Sequence, residues 1–171
     1  MSRLNRYFVA IGVLALLVAA CSPGEAARTV RGTGEVQAPT IKVPNQILGL
    51  RVAPEDVSKQ VKNLKRPYLD SVGLFSLREG DLLRATLQVG RFNGLAKPNS
   101  AQFRASVIGL TGASRAQELK IGDIIVYSTT GSEQNIFLWF KQKGLFVLSV
   151  HRDYEFPRTL LRRAVDLPIQ L

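Results

Sequence analysis

Apolar and polar residues alternate along the middle of the chain, which is typical of strands with one buried and one solvated face. Gly73–Arg78 and Leu82–Phe92 flank the turn-forming triplet Glu79-Gly80-Asp81, so this stretch predicts a β-hairpin. Phe92–Ala101 contains Gly, Pro and Asn and predicts a loop, where partner-binding residues tend to concentrate. Phe103–Val107 alternates again and predicts a further strand.

Three later segments are apolar on both alternating faces, and each predicts a strand: Asp123–Thr130, Asn135–Lys141 and Leu145–Arg152. Turn residues at Gly131-Ser132 and Lys143-Gly144 separate them. Strands that are apolar on both faces are usually covered on both faces. The pattern therefore predicts a sheet that lies between other elements.

Helical spacing occurs in two places that would supply this cover. A helix is expected to begin at Pro54 and to end before Pro67, because proline suits a first turn and disfavours helix in the residue before it. Pro157–Asp166 carries an apolar stripe and predicts a last helix. Ser114–Leu119 predicts a further, short helix in addition to these two. We therefore expect an α+β fold, an antiparallel sheet of about five to six strands with helices packed on both faces.

The start of the chain has the order of a secretion signal: Arg3 and Arg6 precede an apolar run, Phe8–Ala20. The run is too short to span a bilayer, which needs about 20 apolar residues. The residues that end it resemble a lipobox, the motif read by lipoprotein signal peptidase: Val18, Ala19, Ala20 and Cys21. The resemblance implies lipidation of Cys21. The alternative is ordinary cleavage after Ala20, with Cys21 left as a free thiol.

This prediction divides the chain into three parts. Residues 1–20 are the signal peptide, and residues 21–40 are the lipidated cysteine followed by a flexible tether rich in Gly, Pro, Ala and Thr. Residues 41–171 are a single α+β domain of ordinary size. The mature protein would be exported and anchored to the outer face of a bacterial membrane, with the inner and the outer membrane both open.

The chain is basic, with 23 Lys and Arg against 13 Asp and Glu and a formal net charge of +10. Such a balance is common among nucleic-acid-binding proteins. An exported protein meets no nucleic acid, so we expect anionic lipid headgroups, acidic wall polymers or an envelope protein as partners. Lys59, Lys62 and Arg66 share one face of the first predicted helix and are candidates for headgroup contact; a simply solvated face is the alternative.

Catalytic motifs are absent, and the chain has a single histidine and a single cysteine, so we expect neither an enzyme nor a cofactor. His151, Asp153 and Glu155 are spaced two apart and would share one strand face, which makes them weak candidates for a metal site. Arg152 and Arg158 lie close by in sequence, so solvent-facing ion pairs are the alternative.

Aromatic residues in the second of the three late strands are candidates for an apolar ligand pocket: Phe137, Trp139 and Phe140. The alternative is that they form plain core. The end of the chain resembles the carboxy-terminal domain of anti-sigma regulators, through Trp139, Gly144, Leu145–Val150, Leu160, Leu161 and Ala164. The expected architecture also resembles PsbP-like sandwiches. Both resemblances bear on fold rather than activity.

The sequence thus predicts a non-enzymatic binding or interaction module tethered in the bacterial envelope. The alternative function is a carrier of a hydrophobic ligand or lipid, with the aromatic residues around Trp139 forming the pocket.

Overall fold

The computed structural model describes residues 41–55, 68–110 and 116–171. Eight strands lie in these ranges: β1 (Gln46–Ile47), β2 (Leu50–Pro54), β3 (Leu69–Glu79), β4 (Leu82–Phe92), β5 (Gln117–Ile121), β6 (Ile124–Thr130), β7 (Gln134–Lys141) and β8 (Gly144–His151). The two described helices are α1 (Ala101–Leu110) and α2 (Pro157–Asp166). The strands form one antiparallel sheet in the order β1-β2-β3-β4-β8-β7-β6-β5.

The main core lies between the sheet and α2, on what we call the α2 face. Strand residues that point to this face are buried in β2, β3, β4, β6, β7 and β8. The helix contributes the apolar stripe of Leu160, Leu161, Ala164 and Val165, all at most 2% exposed. Because burial of large aliphatic side chains supplies most of the driving force for folding, this layer holds α2 to the sheet.

The opposite side of the sheet, here called the α1 face, carries a smaller apolar cluster. Val107 of α1 is buried there against Leu138, Leu145 and Val147. Towards the other end of this face, the buried strand residues are polar: Ser76, Gln88 and Ser149. The two faces therefore differ, since one supports a continuous apolar core and the other is apolar only in part.

The predicted α+β sandwich of five to six strands, with helices packed on both faces, is wrong. The described residues form a mainly β structure, one large sheet of eight strands with two short helices. Each helix has ten residues and is about 15 Å long, whereas eight strands span about 34 Å. Helices of this length cannot cover both faces of such a sheet.

Several individual elements match the sequence prediction. The hairpin around Glu79-Gly80-Asp81 is confirmed as β3 and β4, and the three late strands are confirmed as β6, β7 and β8. The last helix begins at Pro157 and ends at Asp166, as predicted. Long apolar runs bounded by turn residues carried these predictions.

Two predicted elements have the wrong type. The expected strand Phe103–Val107 lies inside helix α1, which begins after Ser100, whose Oγ accepts a hydrogen bond from the backbone N–H of Phe103. The expected short helix Ser114–Leu119 is contradicted at its end, because Gln117–Ile121 is strand β5. Both segments, of five and six residues, are too short for their periodicity to separate helix from strand.

Some predictions fall on residues outside the described ranges. These are the signal and lipobox with Cys21, the tether, most of the first predicted helix, and the basic residues Lys59, Lys62 and Arg66. Within the described ranges, no helix has the length and apolar character needed to cross a bilayer.

Candidate functional site

A cleft of about 380 Å³ opens at one end of the sheet. Three connections meet there, namely the β1–β2 turn, the β3–β4 hairpin end and the link between β8 and α2. The residues that line it are Leu48, Gly49, Leu50, Glu79, Arg84, Asp153, Tyr154, Glu155 and Phe156. The cleft thus brings together three segments that are far apart in sequence.

The β1–β2 turn forms one wall. Ile47 pairs with Leu50, so the loop has only two residues, Leu48 and Gly49, and both have positive φ angles, 49° and 78°. Two left-handed residues in succession make a type I′ turn, which matches the twist of the strands it joins. A leucine pays for this conformation with steric strain. Leu48 lines the cleft and is 45% exposed, so its side chain lies at the mouth.

A β-bulge aims Arg84 into the cleft. Leu77 pairs with Ala85 and Arg78 pairs with Leu83, which leaves Arg84 as the extra residue on β4. Bulges turn a side chain away from the regular alternation of the strand. The guanidinium Nε donates to Glu79 Oε2 at 2.8 Å, and its Nη1 lies 3.4 Å from Asp153 Oδ2. Arg84 therefore links the β3–β4 hairpin to the segment that follows β8.

Tyr154 and Phe156 form the aromatic wall. Strand β8 ends at His151, and the backbone N–H of Tyr154 donates to the His151 carbonyl at 3.1 Å, so the chain turns sharply there. The two rings meet edge to face at 6.4 Å. Burial raises the pKa of the Tyr154 phenol, and the charge of Glu79 adds to the rise while Arg84 opposes it. Phe156 is 54% exposed.

The cleft is acidic although the chain is basic. Three carboxylates, from Glu79, Asp153 and Glu155, face one guanidinium, from Arg84, so the formal charge of the lining is 1 − 3 = −2. Glu155 forms no ion pair with any residue the structure describes. With exposed apolar groups at the mouth and carboxylates in the lining, the cleft suits a ligand with an apolar stem and a cationic head.

The predicted metal candidates are only partly brought together. Asp153 and Glu155 line the cleft, but His151 is not part of the lining. The strand ends at His151 instead of continuing, so the expected sharing of one face does not arise. Across the described ranges, no group of three His, Cys, Asp or Glu side chains is placed to hold a metal ion.

The predicted pocket residues are divided between the two faces of the sheet. Phe137 and Trp139 lie in the α2-face core, where Trp139 is fully buried and stacks on Phe146 at 5.4 Å. Phe140 lies on the α1 face, where Arg104 of α1 lies over its ring at 5.5 Å. The three aromatic residues therefore do not face one common space.

Sequence patterns indicated two of the cleft residues as site residues and gave no indication of the others. The alternation predicted Asp153 and Glu155 as metal ligands, whereas no sequence pattern pointed to Leu48, Arg84, Tyr154 or Phe156. The only local signal at the β1–β2 turn is a glycine, and the bulge at Arg84 has no signature in the alternation. The candidate loop Phe92–Ala101 lies elsewhere, and its Asn93 Oδ1 accepts a hydrogen bond from the N–H of Leu95 at 2.9 Å.

No protein-family model matches the chain, and no curated protein or solved structure is significantly similar to it.

Proposed function

We propose that this protein is a membrane-tethered, non-enzymatic binding module of the bacterial envelope, and that its cleft holds a cationic side chain of a partner protein. The observation that carries the proposal is the acidic, half-apolar cleft at the end of the sheet. The motif that ends at Cys21 supports the tether.

The chemistry of the cleft favours an arginine or lysine side chain. Exposed Leu48 and Phe156 offer apolar surface to an aliphatic stem, and the ring of Phe156 also suits a cation–π contact. Glu155 has no ion-pair partner among the described residues and is free to accept a charge-assisted hydrogen bond. Such bonds are about twice as strong as those between neutral groups.

The net charge of the chain limits what kind of cation binds. Without Arg3 and Arg6 of the signal peptide, the mature chain has 21 basic and 13 acidic residues, a formal charge of 21 − 13 = +8, and it repels a strongly basic partner at long range. At physiological ionic strength this repulsion is screened beyond about 8 Å, so the carboxylates of the cleft dominate close to it. A single cationic side chain on an otherwise neutral or acidic surface therefore fits better than a polybasic segment.

The test is calorimetric titration of the full-length chain, in detergent, with the blocked tripeptide acetyl-Leu-Arg-Leu-amide. The same peptide with citrulline in place of arginine is the neutral control. We expect the arginine peptide to bind at least about tenfold more tightly. Glu155→Gln removes one charge and, at about 1 kcal/mol, weakens binding about fivefold. Arg84→Met removes the competing cation and strengthens it.

The matched control is Asp70→Asn, which removes an exposed carboxylate from the start of β3, at the opposite end of that strand from Glu79. Its affinity for the arginine peptide should equal that of the native chain. Equal affinity for the arginine and citrulline peptides, or an equal loss in Asp70→Asn and Glu155→Gln, would contradict the assignment of the cleft.

A further inference from the structure

Strand β5 forms one edge of the sheet. It pairs with β6 on its inner side, and no other described strand lies against its outer side. Glu118 and Lys120 are exposed. A strand edge with unpaired backbone groups is a template for another strand, so natural proteins either protect it or use it.

The turn after β5 determines which backbone groups face outward. Ile121 pairs with Ile124, so Gly122 and Asp123 are the two residues of a tight hairpin loop. In such a turn the flanking residues are hydrogen-bonded to each other, and hydrogen-bonded pairs then alternate along the ladder. The amide and carbonyl groups of residues 117, 119 and 121 consequently face β6, and those of Glu118 and Lys120 face the open edge.

We propose that β5 pairs antiparallel with β5 of a second copy of this chain, with Leu119 opposite Leu119 of the second copy. Only even-numbered residues present free backbone groups, so the central registers would oppose 118 with 118, 118 with 120, or 120 with 120. The first and last place like charges together. The middle register places Glu118 opposite Lys120 twice, and it is the register with Leu119 at the centre.

The side chains on the other side of β5 agree with this register. Leu119 and Ile121 are partly buried and pack against the α2-face core. In the proposed pair Leu119 meets its copy at a non-hydrogen-bonded position, where side chains are closest and Cα atoms are about 4.5 Å apart. The apolar layer of the α2 face would then continue from one copy into the next. Opposed residues point to the same face, so both α2 helices lie on one side of the joined sheet.

The charges on β5 favour pairing with a second copy over nonspecific pairing with other strands. Lysine on an edge strand commonly blocks unwanted pairing. Here Lys120 is accompanied two residues earlier by Glu118, so the edge repels most sequences but is complementary to itself in one register. The contact comprises about four backbone hydrogen bonds and one leucine pair. It is smaller than a standard interface, so the dimer is expected to be weak in dilute solution.

Disulfide trapping tests the register directly. In full-length chain carrying Cys21→Ala, Leu119→Cys places the only thiol opposite its own copy, at a Cα separation that a disulfide can bridge. Gln117→Cys is the control, because residue 117 would lie about 13 Å from its copy. Under mild oxidation in detergent we expect several-fold more dimer for Leu119→Cys on a non-reducing gel. Equal dimer for both, or none for either, would overturn the proposal.

Charge reversal supplies the second measurement, in the same Leu119→Cys chain. Glu118→Lys and Lys120→Glu each place like charges opposite one another and should lower the trapped fraction several-fold. The double variant restores opposite charges and should restore trapping. Both positions are exposed, so folding is not at risk. A double variant as poorly trapped as either single variant would rule out the proposed register.

Discussion

Lys141 of β7 connects the sheet to the end of α2. Replacing it should lower the free energy of unfolding by an amount that can be worked out from its contacts. Its Nζ donates to the carbonyl oxygen of Val165 at 2.7 Å and lies 3.5 Å from that of Leu167. Carbonyls in the last turn of a helix have no partner within the helix. The ammonium group therefore satisfies an otherwise orphaned acceptor and also neutralises the negative end of the helix dipole.

Lys141→Met keeps most of the aliphatic stem but removes the charge and the hydrogen bonds. A hydrogen bond to a charged group contributes about 1.5–3 kcal/mol, and only the 2.7 Å contact with Val165 is short enough to count in full. Because Lys141 is half-buried and partly screened by solvent, we expect a loss near the middle of that range, about 2 kcal/mol. For a chain of this size the corresponding fall in Tm is roughly 4–8 °C.

Urea denaturation followed by circular dichroism measures this change as a shift in the midpoint at constant slope. Lys143→Met is the matched control: it removes the same charge from the β7–β8 turn, where the side chain is exposed and the residue contributes only its backbone carbonyl. We expect its stability to stay within about 0.5 kcal/mol of the native value. A Lys141→Met chain as stable as the native chain, or an equal loss of stability in both variants, would refute this role for Lys141.

Two further predictions concern the phenol of the cleft and the N-terminal motif. Burial raises the pKa of Tyr154 above its ordinary value, so stability from this group is complete below about pH 10 and is lost as the pH rises further. Tyr154→Phe should therefore lose less stability than the native chain as the pH is raised above about 10 in alkaline urea denaturation. Parallel losses would contradict this. In bacteria fed labelled palmitate, the native chain should carry label and Cys21→Ala should not; equal labelling would refute lipidation at that residue.

The sequence alone predicted the elements whose local signals agree with their tertiary surroundings. The β3–β4 hairpin, strands β6 to β8 and helix α2 have long apolar patterns bounded by strong turn or start residues. Helix α1 was missed because Phe103, Ala105 and Val107 also fit a period of two. Ser100 is the signal that would have identified it, since serine three residues before Phe103 is a typical helix N-cap.

Strands β1, β2 and β5 could not be recognised in the same way, because they have two to five residues each. Segments this short depend on the strands beside them for their conformation. The Gly122-Asp123 pair was a usable hairpin signal between β5 and β6. The predicted balance of helix and strand was wrong mainly because these three short strands were not predicted.

The N-terminal motif therefore predicted the localisation, composition determined the basic charge, and the strongest apolar runs predicted the central strands of the sheet. The width of the sheet and the acidic cleft were decided only by tertiary structure. A bulge redirects Arg84, and a left-handed turn brings Leu48 toward Tyr154, which is more than 100 residues away in sequence. Pairing between distant strands sets these positions, and a local pattern of residues contains no information about which strands will meet.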